Sequence, residues 1–334
     1  MIDGAVAEGW DHRRACRVLG LKESRAWRWR IRRDGDRLAD RPGGGRPVHG
    51  LLAAEEAEIV ALFEEWGEVD RSHRKLAHRG SYLHRVWVSP SSVRRVLAAH
   101  GLHLHRPRRI GTSVRRPFPE WVTYTKGTIW IYDNTHFTRC PDHAATAILD
   151  LVTRKWLVTI LSAEETSTQI QVAFTEALEA EDLMERVAAR QDGRVDLAVD
   201  DPTRPILLAM SDNGAQMTSG STREFMALCA IAQHFGRPGT PTDQAWIETL
   251  FGHIKAEWAH LDRIDDPAVL RAELEVVRMH YNTVRLHAGI GYVTPEDEHE
   301  GRGPAIRKAR RDGLVAAREK RMEYHRTRQL PETR

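Results

Sequence analysis

Short apolar runs and long amphipathic stretches alternate through the centre of this chain. Thr128 to Phe137, Ala144 to Leu151 and Trp156 to Leu161 are dominated by apolar, β-branched and aromatic residues, with a turn at Thr153-Arg154 before the third. Runs of this length and composition predict buried strands. A stretch from Ser167 to Ala189 follows, with Ile170, Val172, Phe174, Leu178 and Leu183 mostly on one side, which predicts a long amphipathic helix. Ile206 to Met210 reads as a short buried strand ending just before Asp212, Ser221 to Ala230 as a helix, and Ala232 to Phe235 as a strand. Two further helices are predicted over Thr242–His260 and Pro267–Thr283. The region 121–298 is therefore α/β.

Ahead of it the periodicity is helical throughout. Ala15, Cys16, Val18, Leu19 and Leu21 form an apolar side, Gly20 interrupts it, and a second short helix begins near Glu23. Helix, glycine turn, helix is the helix-turn-helix pattern, so residues 1–40 are expected to bind DNA. Arg25, Arg28 and Arg30 on the second helix would face it. Residues 41–52, which include Pro42-Gly43-Gly44-Gly45-Arg46-Pro47, cannot sustain a helix or central strand and are expected to act as a linker. A second helical DNA-binding unit is expected over 53–102. Its last helix would start at Ser89-Pro90, a Ser cap followed by a first-turn Pro, and would carry Arg94 and Arg95 early. Residues 103–120 form a basic connector with Arg106, Arg108 and Arg109, suited to following a DNA backbone. The tail, 299–334, is basic and helix-compatible from Ile306 to Arg326, either lying on DNA or solvated.

Charge sharpens this division. The chain of 334 residues has a net charge of only +3, but it is segregated. Residues 1–120 hold 24 Lys+Arg against 15 Asp+Glu, residues 121–298 hold 15 against 27, and residues 299–334 hold 11 against 5. Basic ends suit phosphate and an acidic centre suits cations. No apolar run is long enough for a membrane-spanning helix, and no secretory leader is visible at Met1-Ile2-Asp3-Gly4. Cys16, Cys140 and Cys229 are far apart and form no zinc-type pair, which suits a reducing cytoplasm.

Three acids stand out. Asp133 lies inside the apolar strand Trp130-Ile131-Tyr132-Asp133, where a carboxylate is costly unless paired or metal-bound. Asp212, in Ser211-Asp212-Asn213-Gly214-Ala215-Gln216, falls where α/β sheets present ligands, although Asp-Asn-Gly is also an ordinary turn. Glu248 lies on the helix predicted over Thr242–His260, in which Ile247, Leu250, Phe251, Ile254 and Trp258 make the core face. Glu248, Gly252 and Lys255 share a neighbouring face, so Glu248 is expected at a metal and Lys255 at a phosphate. Asp142, Asp150, Asp200 and Asp201 are set aside as non-catalytic.

From about residue 11 to residue 298 the chain resembles the insertion-element transposases whose catalytic core is similar to retroviral integrase. The resemblance rests on Ser-Asp-Asn-Gly-x-Gln at 211–216, Ile-Glu-x-x-Phe-Gly-x-x-Lys at 247–255, Tyr281-Asn282-x-x-Arg285-x-His287, and Gly291-Tyr292-x-Thr294-Pro295-Glu296. The 35 residues between Asp212 and Glu248 match the family spacing. Asn134 and His136 depart from the family's first motif, and the two-His, two-Cys zinc module of retroviral integrases has no counterpart. The resemblance implies an RNase H-like core preceded by all-α helix-turn-helix units and followed by a basic extension. It also implies a catalytic triad of Asp133, Asp212 and Glu248 holding two Mg²⁺ ions, with Mn²⁺ as a substitute. Lys255, Arg285 and His287 would assist on DNA. The implied partners are double-stranded DNA, as element ends and target, and further copies of the chain, with no membrane, in the bacterial cytoplasm beside the nucleoid. A non-catalytic DNA-binding regulator or domesticated transposase is the alternative.

Overall fold

The computed structural model describes residues 1–35, 48–104, 118–198, 200–236 and 245–329. The chain divides into two compact units, residues 1–50 with 325–334, and residues 51–324. Among the described residues no helix is long and apolar enough to cross a membrane.

The first unit contains α1 (Ile2–Ala7), α2 (His12–Val18) and α3 (Glu23–Asp34). Asp11 caps α2 by accepting from Arg14 N at 3.2 Å, and Gly20 makes the turn at φ +65°. Its buried apolar residues are Ala15, Cys16 and Ala26, whereas Trp27, Trp29 and Ile31 on α3 are exposed.

The second unit opens with α4 (Ala53–Trp66), α5 (His73–Tyr82) and α6 (Pro90–Ala99) around a core of Ile59, Leu62, Leu76, Val93 and Leu97. Ser89 caps α6 with Pro90 in its first turn, as the sequence indicates. A five-stranded sheet follows: β1 (Ile129–Phe137), β2 (Cys140–Asp150), β3 (Trp156–Ser162), β4 (Leu207–Ser211) and β5 (Ile231–Phe235). Its order is β3-β2-β1-β4-β5. β1 to β3 are antiparallel neighbours, β4 runs parallel to β1, and β5 runs parallel to β4. This is the RNase H-like arrangement.

Helices cover both faces. α7 (Ser167–Ala180), α8 (Met184–Gln191), α9 (Ala215–Thr218) and α10 (Gly220–Leu228) lie on one. There Trp130, Tyr132, Leu207 and Ala209 bury against Ile170, Phe174, Val187 and Met226. The other face carries α11 (Ala245–Glu257) and α12 (Pro267–Thr283), with Ile129, Ile131, Leu208 and Met210 against Ile247, Leu250, Ile254 and Leu274. Side chains alternate along a strand, so odd positions of β1 and even positions of β4 point to the α11 face. The chain closes with α13 (Pro295–His299) and α14 (Gly303–Gln329).

Three expectations change. The helix expected over Ser167–Ala189 is two helices. Asp182 sits at φ +56°, and Leu183 N bonds Leu178 O at 2.8 Å, which closes α7. Helix α11 starts at Ala245 within the described residues and ends at Glu257, three residues short of His260, and residues 242–244 lie outside the described ones. The tail is anchored at points along one side: Arg310 donates to Ala77 O at 2.7 Å and Val88 O at 2.9 Å, and Arg321 pairs with Glu55 at 2.9 Å, while residues such as Arg311, Val315 and Lys320 stay exposed. Residues 53–102 thereby share a compact unit with the sheet and most of α14.

Candidate active site

Register brings the two aspartates together. Ile129 pairs with Leu208 and Ile131 with Met210 across the parallel β1–β4 ladder. Asp133 and Asp212 each stand two residues further on, on the same α11-facing side. Opposite Asp133 on β2 is Ala147, whose small side chain leaves room beside the carboxylate. Helix α11 packs Ile247, Leu250, Phe251 and Ile254 into the core below, and its first turn holds Glu248, exposed to solvent. Gly252 adds no crowding, since a Cβ there would meet nothing within 4 Å.

Electrostatics report the same grouping. The Asp133 carboxyl is pushed up to about 6, first by burial and then by the negative charges of Asp212, Glu248 and Glu165, against a hydrogen bond from Asn134 N. Asp133 Oδ1 accepts that bond at 2.8 Å, and Asp212 Oδ1 accepts from Gly214 N at 2.8 Å. Negative charges that raise the proton affinity of Asp133 also favour gathering a cation beside it. The donor set, carboxylates from the middle of β1, the turn after β4 and the first turn of α11, suits hard divalent ions. Among the described residues no group of three or more acid, His or Cys side chains is drawn together closely enough to hold a metal ion.

Glu165, which no motif in the sequence marks, also bears on Asp133. It lies just before α7 and accepts from Asn134 Nδ2 at 2.9 Å. Its only sequence signal is an acid preceding a helix N-terminus, which is common for capping reasons alone.

The other expected residues scatter. Lys255 donates to His136 O at 2.7 Å and lies 5.4 Å from the Phe137 ring, so it braces the end of β1. Arg285, expected at DNA, is 5% exposed and forks onto Glu257 at 3.0 and 3.2 Å. Burial and this pairing make it a structural cation. His287, expected beside it, accepts from Gly289 N at 3.1 Å, and burial followed by the charges of Arg285 and Arg154 pushes it down to about 3. It is a neutral turn residue. Arg25 and Arg28 are exposed on α3, while Arg30 lies 3.6 Å from Asp3 in an ion pair. Arg94 and Arg95 are exposed on α6. Arg106, Arg108 and Arg109 lie outside the described residues.

Of the acids set aside, Asp150 is fully buried and accepts from Gly127, Val152 and Thr153 backbone N–H groups at 2.7, 2.8 and 2.8 Å, which makes it a turn anchor. Arg190 and Arg186 hold the Asp200 carboxyl well below the usual range.

The five-stranded sheet thus carries Asp133 within β1 and Asp212 just past β4, with Glu248 on a helix packed over them. Residues 230–295 match the family model described as "Integrase core domain". That stretch includes Glu248 and runs from β5 into α13, leaving Asp133 and Asp212 outside it. A 95-residue segment, 28% of this chain, is 27% identical to the transposase for insertion sequence element IS904 of Lactococcus lactis subsp. lactis (strain IL1403). It spans 38% of that relative's length. Residues 230–295 are thus similar to an integrase core domain, and a 95-residue segment is similar to an insertion-element transposase.

Solved structures superpose loosely. The catalytic core domain of BIV integrase matches at 19% identity with a TM-score of 0.36, covering 52% of this chain and 93% of that one. The HTLV-2 integrase catalytic core domain in complex with magnesium matches at 19% with a TM-score of 0.37, covering 52% and 97%. A simian T-cell lymphotropic virus intasome in complex with PP2A regulatory subunit B56 gamma matches at 16% with a TM-score of 0.40, covering 67% and 73%.

Proposed function

We propose that the protein is a DNA transposase that cuts at the ends of a mobile element and joins the freed end to a second DNA. Asp133, Asp212 and Glu248 are its catalytic acids. The observation that carries this reading is Asp133: a half-buried carboxylate on an apolar strand, facing two further acids, with no cationic side chain paired to it among the described residues. Such a group is costly in a fold with no use for it.

Two Mg²⁺ ions, or Mn²⁺ in their place, would supply charge neutralisation at phosphorus and a more acidic attacking oxygen. Asp133 and Asp212 would hold them from the sheet and Glu248 from α11. In the first step water attacks the phosphodiester at the element end; the P–O3′ bond breaks and leaves a 3′-hydroxyl and a 5′-phosphate. That hydroxyl then attacks a second phosphodiester, and the displaced oxygen leaves as a new 3′-hydroxyl. The carboxylates act as ligands throughout, and no protein–DNA bond forms.

The helical segments ahead of the sheet would read the terminal repeats, with Arg25, Arg28, Arg94 and Arg95 exposed for the purpose. Two ends require two sites, so the working form is a multimer of this chain. A strand-transfer assay with labelled terminal DNA in Mg²⁺ tests the reading. Joined product is expected from the natural protein, with a loss of at least ~10²-fold in Asp212→Asn while end binding survives. Binding by the natural protein with no joined product would favour a non-catalytic regulator instead.

A further inference from the structure

We propose that Glu165 is a positioning residue for the acid cluster, a strut that fixes β1 at Asn134 relative to the start of α9, just past the Asp212 turn. The inference rests on the catalytic reading above and adds a residue to it. One oxygen of Glu165 accepts from two amides, Asn134 Nδ2 at 2.9 Å and Gln216 Nε2 at 3.4 Å. Asn134 adjoins Asp133, and its own amide is oriented from the other side, where Oδ1 accepts from Thr146 Oγ1 at 2.7 Å. Gln216 lies against the Asp212 turn: a Cβ on Gly214 would come within 2.9 Å of Asp212 Oδ1 and 3.2 Å of both polar atoms of the Gln216 amide. Gly214 is thus the thin wall between the Asp212 carboxylate and the amide that Glu165 holds. The second Glu165 oxygen faces His136 Nε2 at 3.7 Å, again on β1.

The geometry assigns an orienting role to Glu165. Its side chain is 41% exposed, so it contributes little to folding, yet its bonds converge on the two segments that carry Asp133 and Asp212. Aspartates on different strands must keep their separation within about half an ångström to share a bound group. Partners one step behind such ligands typically change affinity or activity by about 10- to 100-fold when removed.

The experiment compares the full-length natural chain with Glu165→Ala, Glu165→Gln and Gln216→Ala, using Mn²⁺ titration calorimetry and strand-transfer kinetics. Glu165→Ala should weaken Mn²⁺ binding and lower kcat by about tenfold or more, with KM for end DNA and melting temperature nearly unchanged. Glu165→Gln keeps an oxygen that accepts from both amides and should stay within about threefold of the natural protein. Gln216→Ala should cost several-fold, and its effect should not add to that of Glu165→Ala, because both break one link. An equal loss in Gln and Ala would show that Glu165 acts by charge and overturn the proposal. So would unchanged Mn²⁺ affinity in both, or a loss that follows melting temperature. Asp212→Asn serves as the control: if it binds Mn²⁺ like the natural protein, the catalytic reading itself falls, an outcome distinct from failure of the strut.

Discussion

A carboxylate at position 133 is expensive where it stands. Ile129 and Ile131 precede it on the same face of β1, both fully buried, and the charges of Asp212, Glu248 and Glu165 oppose its ionisation. In the metal-free protein at neutral pH, Asp133→Asn should therefore raise stability, by about 1–2 kcal/mol. Urea denaturation in the presence of a chelator measures it, and a destabilised variant would mean that Asp133 is held by contacts the cluster does not supply. Asp133, Asp212 and Glu248 were legible in the sequence because each stands out from its surroundings: an acid in an apolar strand, an acid just past one, and an acid at a fixed spacing on a helix. Glu165 was not, since Ala163-Glu164-Glu165-Thr166 looks like any acidic helix entry. Arg285 and His287 stand out as a motif, and the structure buries Arg285 against Glu257. Sequence shows that a cation is present but not that Glu257 has neutralised it.

At the scale of elements, apolar period and capping located most of the structure. Pro267–Thr283 has the same bounds in sequence and structure because Asp266 caps it and accepts from Ala268 N at 2.7 Å. The break at Asp182 was hidden because the apolar stripe continues across it. The cause is tertiary: Glu181 pairs with His299 at 2.6 Å and Lys155 at 3.5 Å, and the chain turns there through a left-handed residue. A non-glycine residue at φ +56° is strained, so Asp182→Gly should raise stability by up to about 1 kcal/mol. A lower denaturation midpoint would mean that the Asp182 side chain itself is needed. The turn after α12 gives a pH dependence. His287 is pushed down to about 3 and His78 to about 4, both by burial first, so the native state keeps them neutral. The unfolded chain protonates histidine near pH 6.5, so it binds more protons below that value and stability falls as pH drops from about 7 to 5. Melting curves across that range should show the fall, and His287→Gln, which cannot protonate, should flatten it. An unchanged slope would place the titration elsewhere.

On the scale of the molecule, the basic ends and acidic centre divide by partner, yet much of the tail's charge is spent internally. Arg310 is desolvated, its pKa lowered to about 10, and it donates to the carbonyls of Ala77 and Val88; Arg321 closes on Glu55. Composition alone could not distinguish these arginines from phosphate ligands. Gly313 lets α14 come down on Trp87, since a Cβ there would run into the indole. Gly313→Ala should destabilise residues 51–324 by about 1–3 kcal/mol despite alanine's better helix propensity, read from thermal melts. The claim on which function depends is that Asp133, Asp212 and Glu248 hold divalent ions together. Anomalous diffraction from crystals soaked in Mn²⁺ tests it most directly. Peaks bounded by these three carboxylates are expected, whereas an empty cluster at saturating Mn²⁺, or ions bound only elsewhere, would contradict the account.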